Sequence, residues 1–190
     1  LLALLVVLCI LAPAMAQEAP MSSTAFAEYE QGDGIFSLSL GTLVPLFFVT
    51  QDGPTASNAY PGFEFALSYM GFLSENWMLG GQLGGAFIKT IADRRLFIAP
   101  LSARAAYAID LSPFLITPAV GIGMAISALG EEKHIDPLFV AGSSFYWRIN
   151  NDMSYGLGLY ANIIPQFYND TSQNTTGFFL EATLSVSYHL

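Results

Sequence analysis

The chain has 190 residues, of which 53% are hydrophobic and 11% charged, with a net charge of −9. An average soluble domain carries roughly 25% charged residues, so this composition disfavours a water-soluble domain, and the acidic balance gives no electrostatic footprint for nucleic acid. The single cysteine, Cys9, excludes an internal disulfide framework and a cysteine metal site.

Residues 1–16, LLALLVVLCILAPAMA, are apolar and end in Ala14-Met15-Ala16. That is the apolar core and small-residue cleavage site of a secretory signal peptide. Cleavage after Ala16 removes Cys9. Residues 17–34 then form an acidic tail with Glu18, Glu28, Glu30 and Asp33. Its composition points to a disordered, periplasmic segment rather than to a plug made by Phe26 and Tyr29.

From residue 35 onward, apolar and small or polar residues alternate. The last strand shows it best: Phe178, Leu180, Ala182, Leu184, Val186, Tyr188 and Leu190 on one face, with Phe179, Glu181, Thr183, Ser185, Ser187 and His189 on the other. Period-2 alternation predicts strands at 35–46, 62–72, 77–88, 96–109, 114–127, 137–149, 153–164 and 177–190. Each is near the ~9–11 residues of a tilted transmembrane strand. Residues 111–130 are long and uncharged enough for a helical span. Pro113, Pro118 and three glycines interrupt them, and the alternation carries straight through. The connectors at 73–76, 110–113 and 150–152 are short, and those at 47–61, 89–95, 128–136 and 165–176 are longer. Short turns at one end and longer loops at the other is the layout of an outer-membrane barrel. The expected fold is an all-β, eight-stranded antiparallel up-and-down transmembrane β-barrel over residues 35–190, with both termini on the periplasmic side.

The apolar face carries Tyr69, Trp77, Tyr107, Trp147, Tyr155 and Tyr188, all near the short-turn end. That is the placement of an aromatic girdle at the headgroup level. On the opposite face lie Glu64, Arg104, Arg148 and Glu181, the only charges inside strands at inward parity. A buried ion pair closing the lumen is favoured over a polar constriction on a conduit, because buried charges are usually paired. The other inward positions are small, among them Gly80, Gly84, Gly121, Gly123, Gly156 and Gly158, which leaves room for an incompletely filled interior.

Pro45, Pro100 and Pro118 lie within strands, where each removes a ladder donor. At the outer rim sit Pro45, Phe47, Phe48, Pro165, Phe167 and Tyr168. The bland reading is that these prolines end strands and the aromatics form an upper girdle. His134 and His189 are isolated, and neither has a nucleophile or metal-ligand constellation around it. No enzyme activity, cofactor or metal is expected.

Residues 35–190 resemble the small eight-stranded bacterial outer-membrane proteins of the OmpX/OmpA-barrel and OmpW/OprG types. The most specific part is the end of the chain, where Leu184, Val186, Tyr188 and Leu190 alternate back from the C-terminus. It resembles the signal read by the barrel-assembly machinery, with Leu190 where the family usually has Phe. The resemblance implies outer-membrane lipid and that machinery as partners. The OmpW/OprG likeness further implies a lateral opening at the proline-bearing rim that passes small, apolar molecules. The expected function is therefore a narrow conduit or lateral-diffusion route. The alternative is a closed structural or surface-interaction barrel that works through its loops.

Overall fold

The computed structural model describes residues 26–130, 132–168 and 173–190. The expected signal segment and the start of the tail lie outside the described residues. Ten strands follow one another: β1 (Gly34–Thr50), β2 (Gly53–Ala56), β3 (Gly62–Phe72), β4 (Trp77–Lys89), β5 (Arg95–Tyr107), β6 (Ile109–Leu111), β7 (Phe114–Leu129), β8 (Glu132–Arg148), β9 (Met153–Gln166) and β10 (Thr175–His189). Eight of them pair in sequence order, all antiparallel, and β10 returns to pair with β1. The sheet is a closed up-and-down barrel, with each of the eight wall strands paired on both sides through the middle of the wall.

The other two strands have local causes. β2 folds back on the upper part of β1 through the turn at Gln51–Asp52, with Thr50 opposite Gly53. β6 is the tail of β5, separated from it at Ala108. The β5–β7 ladder runs from Leu96–Leu129 to Ala106–Ala119, stops, and resumes at Ile109–Ile116. Pro118 lies in the interruption and has no N–H to offer the Tyr107 carbonyl. Pro100 acts in the same way between β4 and β5, where pairing skips from Leu83–Leu101 to Ala86–Ile98. Its ring turns into the lumen over Gly84; a Cβ there would lie 3.2 Å from the ring.

Parity sets what faces what. Phe36, Leu38, Leu40, Phe65, Leu67, Leu79, Leu83, Val120, Ile122, Leu157, Leu184 and Val186 all stand exposed on the outer wall. Ser37, Ser39, Gln82, Ser102, Thr117, Ser144, Asn162, Thr183 and Ser187 are buried inside. An apolar outside and a polar inside reverse a water-soluble barrel and suit one whose solvent is lipid. Tyr69, Trp77, Tyr107, Trp147 and Tyr188 are exposed on the outer wall, and Tyr155 is half-buried there. Trp77 meets Tyr107 edge-on at 5.3 Å across the β4–β5 pair.

The interior is filled more than the small residues suggested. Tyr146 and Tyr160 point inward and occupy the space above the glycines. A Cβ on Gly156 would lie 2.9 Å from the Tyr146 ring, and one on Gly142 would lie 2.6 Å from Tyr160. Both tyrosines lie at the inward parity of β8 and β9, and the reading of a lumen lined by small residues passed over them.

Candidate functional site

The lumen has three levels. The middle is a polar crossbar. Glu181 on β10 accepts hydrogen bonds from Gln82 Nε2 on β4 at 3.1 Å and from Asn162 Nδ2 on β9 at 3.1 Å. Arg104 on β5 reaches it with Nη2 3.5 Å from Oε2. The guanidinium also lies 4.4 Å above the Tyr160 ring and donates through Nε to Ser102 Oγ at 3.1 Å. Tyr160 completes the bar through a 2.7 Å bond to Ser144 Oγ. Glu181 and Arg104 are 2% and 5% exposed. Glu64 on β3 is 0% exposed and its carboxyl oxygens make no hydrogen bond. Of the four inward charges, the structure joins Arg104 with Glu181, leaves Glu64 near them without a hydrogen bond, and places Arg148 at the far end. The void beside the crossbar is about 30 Å³, room for a water molecule or two and far less than the ~150 Å³ that holds benzene.

Towards the long loops the lumen widens into a cavity of about 270 Å³. A dry cavity of about 150 Å³ is enough to hold benzene. Phe48, Leu96, Ile98, Ile164 and Phe179 form its apolar wall, with Phe48 and Phe179 edge to face at 6.0 Å. Arg94, His134, Gln166 and Tyr168 stand at its mouth. Burial, with Asp136 and Glu132 nearby, pushes the Tyr168 hydroxyl above its ordinary pKa. Phe47 faces outward and stacks on Phe178 at 4.6 Å, and Phe167 is exposed on the loop. The six rim residues therefore divide: Phe48 and Tyr168 face the cavity, while Phe47 and Phe167 face away from it.

The prolines divide too. At Pro45 the wall stays shut. β1 bulges at Leu46 and pairing with β10 continues to Val49–Thr176. At Pro165 it does not. The β8–β9 ladder runs from Arg148–Ser154 only as far as Phe139–Ile163. Two residues further in that register, past Leu138 and Ile164, Pro137 is set against Pro165. Neither has an N–H, so neither closes a bond to the other strand. Above that point β8 pairs with β7 alone, through Glu132–Leu129. Among the described residues side chains span the seam: Gln166 Nε2 donates to Asp136 Oδ2 at 3.2 Å, and the His134 and Tyr168 rings meet edge-on at 5.3 Å. Ile164 and Gln166 beside this seam also line the cavity. Asp136 and the upper part of β8 were missed because the alternation was taken to start at Pro137.

At the short-turn mouth residues 26–30 of the tail are folded in rather than loose. Tyr29 stacks on Phe72 at 4.4 Å and hydrogen-bonds His189 Nδ1 at 2.8 Å. Arg148 makes a two-pronged contact with Asp110, 2.7 Å to each oxygen, and donates to the Ala27 carbonyl at 3.1 Å. Its guanidinium lies 4.9 Å from the Phe26 ring and 5.3 Å from that of Tyr29. Burial pushes the Tyr29 hydroxyl up to about 12, against the pull of Arg148, so it stays a neutral donor or acceptor through the physiological range.

Among solved structures the fold is similar to Neisserial surface protein A, with a TM-score of 0.60 and 10% identity over 84% of this chain and 99% of that one. It is also similar to the outer membrane protein OprG from Pseudomonas aeruginosa, with a TM-score of 0.55 and 10% identity over 87% and 99%. An uncharacterized protein of Treponema pallidum (strain Nichols) is 22% identical over 150 residues, 73% of this chain and 68% of that protein. A protein-family model matches residues 16–188. The chain belongs to the family of that model, and its fold is that of the small eight-stranded outer-membrane β-barrels.

Proposed function

We propose that the chain sits in a bacterial outer membrane, long loops outside and termini in the periplasm, and that it passes small apolar molecules sideways. A solute enters the apolar outer cavity from the loop side and leaves through the β8–β9 seam into the lipid of the outer leaflet. The observation that carries this reading is the pairing of an apolar cavity with a wall that has lost its backbone bonds beside Pro137 and Pro165. The crossbar beneath argues against passage straight through to the periplasm. An eight-stranded barrel also has no wide aqueous channel.

The same crossbar favours a second reading, a closed barrel that presents its loops to a surface partner. Restoring the missing donors separates the two. Pro137→Val with Pro165→Val lets the ladder zip past Phe139–Ile163. The lateral route predicts that transfer of an apolar dye into vesicles with a lipopolysaccharide outer leaflet falls to the protein-free rate in this variant. Unchanged transfer by the zipped barrel would remove the seam from the account.

A further inference from the structure

The lateral route makes no use of the short-turn mouth, yet that mouth is elaborately closed. Residues 26–30 belong to no strand, and a segment outside the ladder has no backbone pairing to hold it there. Side chains hold it instead. The Tyr29 ring lies between Phe72 on β3 and His189 on β10, 4.4 Å and 5.7 Å between centroids. His189 in turn bonds Ser154 Oγ on β9 at 3.0 Å. Arg148 on β8 takes the Ala27 carbonyl while Asp110 on β6 fixes its other edge. The Ala27 amide donates to Asn151 Oδ1 in the β8–β9 turn at 3.3 Å. Behind the segment, Gly32 and Asp33 pair with Phe72 through their backbones, which sets the angle at which the chain enters the mouth.

Arg148 is the informative member. It is buried, a charge in a spanning strand, and its partners are the tail and one aspartate. A buried guanidinium without partners is costly. Removing the tail strips it of a carbonyl and two aromatic faces. The wall alone gives it only Asp110 among the described residues. We propose that residues 26–30 are a built-in stopper for the short-turn mouth, latched by Arg148, Phe72 and His189. The lower lumen opens to the aqueous phase on that side only when this segment leaves.

The test reads access to the lumen behind the stopper. Ser187 is buried two positions before His189 on β10, on the same inward face. Ser187→Cys places a thiol there, and the chain from Gln17 onward has no other cysteine. The protein is refolded in lipid nanodiscs, where both mouths meet solvent. A charged, membrane-impermeant methanethiosulfonate is added. Modification is slow in the full chain. It rises by about tenfold or more with Phe26→Ala/Tyr29→Ala and again with deletion through Glu30, since each tenfold corresponds to ~1.4 kcal/mol of lost docking. Heat-dependent gel mobility confirms that each barrel is folded. The alanine pair lies outside every strand, so it keeps the test open if the deletion misfolds. Equal rates in the folded full chain and the folded alanine variant would overturn the stopper.

Discussion

Glu181→Ala is expected to lower the unfolding free energy of the barrel by about 3–5 kcal/mol, the range for removing one partner of a buried charged network. The substitution takes the shared acceptor from three donors: the amides of Gln82 and Asn162 and the guanidinium of Arg104. They come from β4, β9 and β5, so the loss is felt on both sides of the lumen. Arg104 keeps its contacts with Ser102 and Tyr160, which caps the damage. Replacing the pair together, as Arg104→Met with Glu181→Leu, recovers only the share of the loss that belongs to Arg104, because a buried ion pair is worth little more than well-packed apolar residues while the amides of Gln82 and Asn162 stay without their acceptor. Urea titration in lipid, followed by heat-dependent gel mobility, reads both. A Glu181→Ala midpoint equal to that of the parent would mean that the crossbar does not hold the wall together.

The second large effect is on the outer wall. Ile122→Arg is expected to cost ~2–4 kcal/mol, while Ile135→Arg costs about 0–1 kcal/mol, because the penalty for a charge on the lipid face falls from the midplane to the interface. Both side chains are outward and highly exposed, 65% and 70%. Ile122 pairs with Ala103 and Phe139 in mid-wall, whereas Ile135 lies above the proline seam. Two exposed isoleucines on a water-facing surface would tolerate arginine equally. The difference in unfolding midpoint between the two variants therefore measures the solvent directly.

Much of this molecule was legible in its sequence because a strand has a period of two and lipid enforces it. The strand count, the inward placement of Glu64, Arg104, Arg148 and Glu181, and the outward placement of the short-turn aromatics all follow from parity. Parity says nothing about which strand residue meets which across a seam. Pro165 was visible as a rim proline, but its consequence depends on register: it matters because Pro137 is the residue set against it. Pro45 has the same missing donor and leaves the wall closed, because a bulge at Leu46 carries the ladder past it. Residues 26–30 were misjudged for a related reason. Acidic residues at Glu28, Glu30 and Asp33 gave the segment its disordered composition, while Phe26 and Tyr29 found aromatic and cationic partners in Phe72, His189 and Arg148, supplied by three strands.

The lateral route is tested most directly by sewing the seam shut reversibly. Asp136 and Gln166 already touch across it. Asp136→Cys with Gln166→Cys, in the chain from Gln17 onward, places two thiols there and no others. In vesicles with a lipopolysaccharide outer leaflet, a lateral route requires that transfer of an apolar dye stops when the disulfide forms and returns when it is reduced. An oxidised, folded barrel that transfers the dye as fast as its reduced form would contradict it.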